Sequence, residues 1–303
     1  MAWSRRGFLR QSGITLAATA LAIDKHLVLH GEPLQRSAGL QLFAVADELQ
    51  KDFDGTLQRV HAIGYKEVEM AGFFGKKPTE IKTSLDNAGL HCASVHIFDP
   101  GPATDTMDYA VAIGAKYVIT ALYLLKREPD DNAYITMVKR LTLDDYKAMA
   151  EQCNRLGEQA KSRGLQFGYH NENVEFRPLR GGTGYDELLL STDPELVKLE
   201  LDCGWMAAAG QNPAAYITKY PDRYRLLHIK DFKYRAKPSY GGWPGESPEP
   251  TELGRGHIDY KPIFDAAKKS GVEWYYVEQE APFTDMPVME ALKVDYEYVH
   301  KLL

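Results

Sequence analysis

The chain has 303 residues, 44% of them hydrophobic and 26% charged, which suits a soluble protein with one large α/β domain or two smaller ones. Its formal charge of −6 lacks the basic excess of a dedicated nucleic-acid binder, so no nucleic-acid partner is expected. Cys92, Cys153 and Cys203 are odd in number and form no spaced motif; this excludes a disulfide framework and leaves three buried thiols.

In chain order, Ser4-Arg5-Arg6-Gly7-Phe8-Leu9-Arg10 is followed by a weakly hydrophobic run from Gly13 to Ile23, too short to span a bilayer. The segment resembles a twin-arginine export signal, with Ala20-Leu21-Ala22 as its small-x-small cleavage site. That resemblance implies that residues 1–22 are removed, that the protein is periplasmic and exported already folded, and that no membrane span remains in the mature protein. Loss of Arg5, Arg6 and Arg10 takes the charge to −9. The alternative is a basic tail before a short helix. Residues 23–38 read as a polar linker.

From residue 39 to 303 strand and helix patterns alternate. Strands are expected at Gly39–Phe43, Lys66–Met70, Leu90–Ile97, Lys116–Ala121, Leu165–His170, Leu196–Asp202, Tyr224–Lys230 and Val272–Glu278. Helices are expected between them at Asp54–Ile63, Pro78–Asn87, Asp105–Ile113, Leu143–Ser162, Gly184–Ser191, Pro213–Lys219 and Tyr260–Lys269, and Pro287–Leu302 closes the chain. Eight strand–helix pairs in one series predict a single (β/α)8 TIM barrel. A doubly wound open sheet competes, but it usually needs fewer units. No Gly-x-Gly-x-x-Gly follows the first strand and no phosphate-loop motif occurs, so nucleotide cofactors are disfavoured. Gly181-Gly182-Thr183-Gly184 reads as a turn. A Gly/Pro-rich insertion at Phe232–Gly256, carrying Trp243, reads as a lid, an interface or a surface loop.

Barrel strands direct their last residues into a shared mouth, where polar groups are costly unless they bind something. Here those residues are Gln41, Glu69, His96, His170, Asp202, His228 and Glu278. His170, Asp202, His228 and Glu278 end four consecutive strands. Two imidazoles and two carboxylates suit one divalent ion, Mn²⁺ first, with Zn²⁺, Co²⁺ or Mg²⁺ as alternatives. Glu175 is a rival fifth-strand ligand, but it lies further into the loop.

Together, Gly39-Leu40-Gln41-Leu42-Phe43, Gly64-Tyr65-Lys66-Glu67-Val68-Glu69, Gly168-Tyr169-His170-Asn171, Leu201-Asp202, His228-Ile229-Lys230-Asp231 and Val277-Glu278-Gln279 resemble the xylose-isomerase-like sugar isomerase/epimerase superfamily. That superfamily also holds inosose dehydratases and an AP endonuclease. The resemblance implies a metal held at the ends of strands five to eight and proton abstraction next to a sugar carbonyl through an enediolate. His170 stands where epimerases usually carry Glu, and Glu172 replaces the second His of a His-Asn-His run; both departures weigh against two-base epimerisation.

Within that chemistry Glu278 is a candidate ligand and base, and His96 a candidate acid/base. Lys230 is a candidate oxyanion partner or proton donor, and Glu172 a substitute base. Gln41, Glu69, Asn171, Trp205 and Gln279 are candidate substrate-binding groups, with Asp231 and Gln279 also placed to orient ligands. Trp243, Tyr169 and Phe73 are further candidates for stacking on a sugar ring. The expected substrate is a non-phosphorylated keto-sugar or sugar derivative, because sugar phosphates are chiefly cytoplasmic. The leading expectation is an isomerase/epimerase; a lyase or hydratase on 3-keto-glycosides comes second. A non-catalytic periplasmic sugar-binding protein is a third alternative, and an AP-endonuclease-like phosphodiesterase conflicts with the charge of −9. A homo-oligomer is left open.

Overall fold

Short apolar runs bounded by glycine and polar residues form strands buried on both faces, as parallel strands covered by helices must be. The computed structural model describes residues 37–97, 103–121, 131–241 and 246–303. Its strands are β1 (Gly39–Gln41), β2 (Glu67–Met70), β3 (His91–His96), β4 (Tyr117–Thr120), β5 (Gln166–His170), β6 (Val197–Asp202), β7 (Tyr224–Ile229), β8 (Asp231–Phe232), β9 (Pro250–Thr251) and β10 (Trp274–Val277). Eight of them close into one parallel barrel in the order β1-β10-β7-β6-β5-β4-β3-β2. The expected single (β/α)8 barrel is therefore found. β8 and β9 pair antiparallel as a separate two-stranded sheet within the insertion. The export segment, its cleavage site, residues 23–36 of the linker and Trp243 lie outside the described residues.

Several boundaries differ from the sequence pattern for local reasons. β1 stops at Gln41 rather than Phe43, because the Gln41 Oε1 accepts the Phe43 N–H at 3.1 Å and opens a 3-10 turn at Leu42–Val45. β7 ends at Ile229 and β10 begins at Trp274, each inside its expected range. Three helices were not among those expected: Ala46–Lys51, Asp131–Arg140 and Cys203–Ala208. The last starts where β6 ends, since Asp202 Oδ1 accepts the Trp205 N–H at 2.7 Å as its cap. The Gly181–Gly182 segment is a turn, and Thr183 caps the helix that follows.

Side chains alternate across each strand, so His228 shares a face with Leu226, and Glu278 with Tyr276. Tyr117, Ile119, Leu226 and Tyr276 pack together as an apolar layer. Stacked layers of this kind fill a barrel interior, and this one forms the floor beneath the polar strand ends. All three cysteines are free and buried, and burial pushes the Cys92 thiol up to about 12. Among the described residues no helix is long and apolar enough to cross a membrane.

Candidate metal centre and active site

β5, β6 and β7 run side by side with His170 opposite Glu200 and Asp202 opposite His228. This register brings the expected ligand set together: donor atoms of His170, Asp202, His228 and Glu278 all lie within 4.8 Å of one another, and all four residues are buried. His228 Nδ1 is 2.9 Å from Glu278 Oε2 and 4.0 Å from Asp202 Oδ2, while His170 Nε2 is 3.8 Å from Asp202 Oδ2.

The other ring nitrogens face a second carboxylate pair. His170 Nδ1 is 3.0 Å from Glu200 Oε2, and His228 Nε2 is 2.6 Å from Glu69 Oε2. His96 Nε2 meets both carboxylates, at 2.7 Å from Glu200 and 3.1 Å from Glu69. Gln41 donates to the same Glu69 oxygen at 2.8 Å. Imidazoles that bind a cation on one nitrogen commonly donate the other N–H to a carboxylate, which fixes tautomer and ring orientation. Glu200 and Glu69 stand in that position. A second cluster of potential ligands, His96, His170, Glu200 and His228, shares both of these rings.

Lys230 extends over the opposite side. Its Nζ is 2.7 Å from Glu278 Oε2, contacts Glu280 Oε1, and sits 5.2 Å from the centre of the Trp205 ring. It also lies 2.9 Å from Asp202 Oδ2, yet without hydrogen-bond geometry, so that buried oxygen has an ion-pair neighbour but no donor. Gly204 makes this path available: a Cβ there would meet Lys230 Cγ at 2.2 Å.

The electrostatics follow from five carboxylates (Glu69, Glu200, Asp202, Glu278 and Glu280) around one ammonium and three imidazoles. Burial alone would lower His96 and His228, but the carboxylates outweigh it. Glu69 and Glu200 raise His96 to about 10, and Glu200, Glu278 and Glu69 hold His228 well above its usual range. Burial and the neighbouring His228 lower His170. Burial would raise Glu278, yet Lys230 and His228 hold it low; the same competition leaves Glu200 low beside His228 and His96. Burial disfavours the Lys230 cation, but Asp202, Glu278 and Glu280 raise it strongly. Burial and Glu280 raise Glu172, and burial and Glu278 raise Glu280 despite Lys230.

With Lys230 and His96 charged and His228 neutral, as a cation on its Nδ1 requires, the formal count leaves three of the five carboxylates uncompensated, a negative charge that a divalent cation would largely offset. Glu69 Oε1, Glu200 Oε1 and Asp202 Oδ2 are buried without a hydrogen-bond partner. Orphaned acceptors of this kind are costly unless a cation or donor meets them. The mixed nitrogen and oxygen set fits Mn²⁺, Zn²⁺ or Co²⁺, and Mg²⁺ less well.

The remaining expected residues divide. Asn171 directs its amide at the Asp202 backbone, accepting its N–H at 3.0 Å and facing its carbonyl at 3.3 Å, so it ties β5 to β6. Gln41 is committed to Glu69 and the Phe43 N–H. Trp205 donates its indole N–H to Glu280 at 3.2 Å. Glu172 lies half-buried beside the mouth, and Gln279 is buried with an unpartnered amide oxygen.

Tyr169 alternates away from His170 toward Met149, so it cannot stack on a ligand in the mouth. Phe73 instead stacks on Tyr109, with ring centroids 3.6 Å apart. Glu175 turns outward to accept from the Tyr169 hydroxyl at 2.8 Å and the Glu172 N–H at 3.1 Å. It belongs to neither ligand cluster. Asp231, expected to orient ligands, instead gathers backbone N–H groups of Phe232, Gly254, Gly256, His257 and Ile258 and so anchors the insertion.

Sequence reasoning missed Glu200 and Glu280. Each sits two residues from an identified ligand, Asp202 or Glu278, and strand alternation was the available signal for Glu200.

The family model for the xylose isomerase-like TIM barrel matches residues 57–294. The chain is 29% identical over 279 residues to an inosose dehydratase of Lacticaseibacillus casei, covering 81% of this chain and 89% of that protein. It is 30% identical over 260 residues to an inosose dehydratase of Geobacillus thermodenitrificans, covering 75% and 85%. A solved structure described as a sugar phosphate isomerase/epimerase from Parabacteroides distasonis superposes with a TM-score of 0.70 at 26% identity, covering 88% of this chain and 98% of that one.

Proposed function

The chain belongs to the xylose isomerase-like TIM barrel family, and from that membership we propose a cation-dependent lyase that eliminates water or an alcohol β to the carbonyl of a non-phosphorylated keto-sugar. The observation that carries this reading is the buried set His170, Asp202, His228 and Glu278, with Asp202 Oδ2 lacking a donor. Relatives named as a dehydratase favour elimination over the isomerase expected first from sequence. His170 Nε2, Asp202 Oδ2, His228 Nδ1 and Glu278 Oε2 would hold the ion, Mn²⁺ by preference. When bound, it would polarise the carbonyl and acidify the adjoining C–H.

The protein's own groups account for the proton traffic. Glu172, beside the mouth, takes the proton from the carbon next to the carbonyl. That electron pair becomes the new C=C bond as the β C–O bond breaks, and the departing oxygen takes the proton of His96. Lys230 stays charged and faces the negative charge that develops on the carbonyl oxygen. Glu278, pinned by His228 and Lys230, holds rather than reacts.

Five carboxylates against one lysine among the described groups of the cluster disfavour a phosphorylated substrate. An inosose or a 3-keto-glycoside fits better. We take the activity to be periplasmic, a reading that the twin-arginine resemblance at Arg5-Arg6 supports. Isomerisation is the second reading, favoured by the Parabacteroides distasonis neighbour; the same proton is taken, but no C–O bond breaks and the proton returns to the neighbouring carbon.

The test incubates Mn²⁺-loaded protein with an inosose and a methyl 3-keto-glucoside in deuterated water, followed by mass spectrometry. Loss of water or methanol, abolished in Asp202→Asn, supports the lyase. Deuterium uptake at constant composition supports isomerisation instead. Binding with neither outcome refutes both and leaves a sugar-binding protein.

A further inference from the structure

β1 and β10 are neighbours in the barrel, with Gly39 opposite Tyr276 and Leu40 opposite Val277. The loops that leave their carboxyl ends therefore rise side by side at the mouth. Between them lies a groove of about 400 Å³, lined by Phe43, Phe283, Val288, Gln279 and Glu280 among others. That volume is within the roughly 300–1,000 Å³ typical of small-molecule sites. Gln279 and Glu280 belong to both places: Glu280 also contacts Lys230 and Trp205 of the site above, and Gln279 follows Glu278 directly. The groove is thus continuous with the proposed reaction centre.

Its chemistry differs from that of the centre. Phe43 is 49% exposed, one of four large hydrophobic side chains so exposed among the described residues. Phe283 and Val288 are half-buried in the same wall. Asp47 and Glu48 add negative charge to the lining, and the one lysine there, Lys51, is paired to Glu48 at 3.1 Å. Aromatic and aliphatic walls with an acidic edge favour an uncharged ring and repel an anion. The Gln279 amide oxygen, buried and unpartnered, leaves an acceptor on the shared wall.

We propose that this groove is a subsite for the leaving group of the substrate, and that it takes an uncharged apolar or aromatic aglycone of a glycoside. The inference rests on the keto-sugar reading for the identity of the neighbouring ring. It narrows the substrate class from free keto-sugars to glycosides whose aglycone lies against Phe43 and Phe283. The leaving alcohol of the elimination is then the aglycone itself, which the groove holds beside the breaking C–O bond.

An unreactive probe separates this from the catalytic reading. Phenyl β-glucoside and methyl β-glucoside carry no carbonyl, so calorimetric binding of each to the protein reports the groove without chemistry. The phenyl glycoside is expected to bind at least tenfold more tightly, as stacking of one ring on two others supplies. Phe283→Ala is expected to cut that preference to threefold or less while leaving the methyl glycoside unchanged. Phe283→Leu, which keeps an apolar wall, is expected to retain part of the preference and guards against a collapsed loop. Equal affinity for the two glycosides, no binding of the phenyl glycoside at millimolar concentration, or an equal loss for both in Phe283→Ala overturns the proposal. Turnover of the 3-keto forms is scored separately. Its absence beside a phenyl preference removes the lyase reading and leaves the subsite standing.

Discussion

Lys230→Met is the sharpest test of the cluster, because methionine keeps the apolar stem and removes only the ammonium. Lys230 is 2% exposed and lies 2.7 Å from Glu278, 2.9 Å from Asp202 and against Glu280. At an effective dielectric near 20, one pair at about 2.8 Å attracts by roughly 6 kcal/mol, and the desolvation of the ions offsets much of it. Truncating one partner of a buried ion pair typically costs about 3–5 kcal/mol, since the carboxylates remain buried without their cation. For a barrel of this size that corresponds to a fall in Tm on the order of 10 °C. Thermal melts with a chelator present should show this fall. The variant's cluster carries one more uncompensated negative charge, so saturating Mn²⁺ should raise its Tm by more than it raises the parent's. A chelated variant within about 1 kcal/mol of the parent, or an Mn²⁺ shift no larger than the parent's, would refute both the charge count and the placement of the cation.

Three further outcomes are expected. Glu200→Gln, which weakens the anchor of His170 Nδ1, should lower divalent-ion affinity by roughly 10–100-fold in a titration while leaving the stoichiometry at one. Gly204→Ala places a Cβ 2.2 Å from Lys230 Cγ, so it should displace the ammonium and lower kcat/KM for the elimination, with KM changed less than kcat. Asp295 is buried and its carboxyl is pushed up to about 8, chiefly by burial and then by Glu252 and Asp231, against the Leu253 N–H that it accepts at 2.7 Å. Below about pH 4 it is neutral in both states and contributes nothing. From there to about pH 8 the unfolded chain ionises while the fold keeps the proton, so stability declines as pH rises. Asp295→Asn should remove that decline, gaining up to about 1.4 kcal/mol per pH unit over the parent across the window. Denaturant melts at pH 5 and pH 8 check it, and an equal difference at both pH values counts against the buried-proton account.

The barrel was legible because its strands are short apolar runs that end in polar residues, and that pattern survives without tertiary context. The site was legible to the same depth and no further. His170, Asp202, His228 and Glu278 each terminate a run, so chain position alone identified them. Glu200 and Glu280 were obscured because each lies two residues from a ligand that ends its run, Glu200 inside β6 and Glu280 past the end of β10, and the register with β5 shows Glu200 turned onto the imidazoles. Helix Cys203–Ala208 was hidden for a related reason: Asp202 ends β6 and caps the helix with its other oxygen, leaving no linker between two elements. Asp231 looked like a site residue from its place after Lys230. One turn of chain sends its carboxylate to the backbone of residues 254–258 instead, a contact no local pattern encodes.

These misses share a consequence for how the site works. The four ligands that sequence identifies, His170, Asp202, His228 and Glu278, turn their donor atoms toward one another at the mouth. Carboxylates hold those groups from behind: Glu69, expected to bind substrate, and the missed Glu200 on the imidazoles, and the missed Glu280 on Lys230. A carboxylate behind each charged or chargeable group fixes its orientation before substrate arrives, which is where preorganised electrostatics acts. The same carboxylates make the empty cluster unstable in its own charge, so cation binding and the integrity of the mouth are coupled. Substitutions behind the site should therefore weaken the ion and the fold together, whereas substitutions in the groove at Phe283 should alter substrate preference alone.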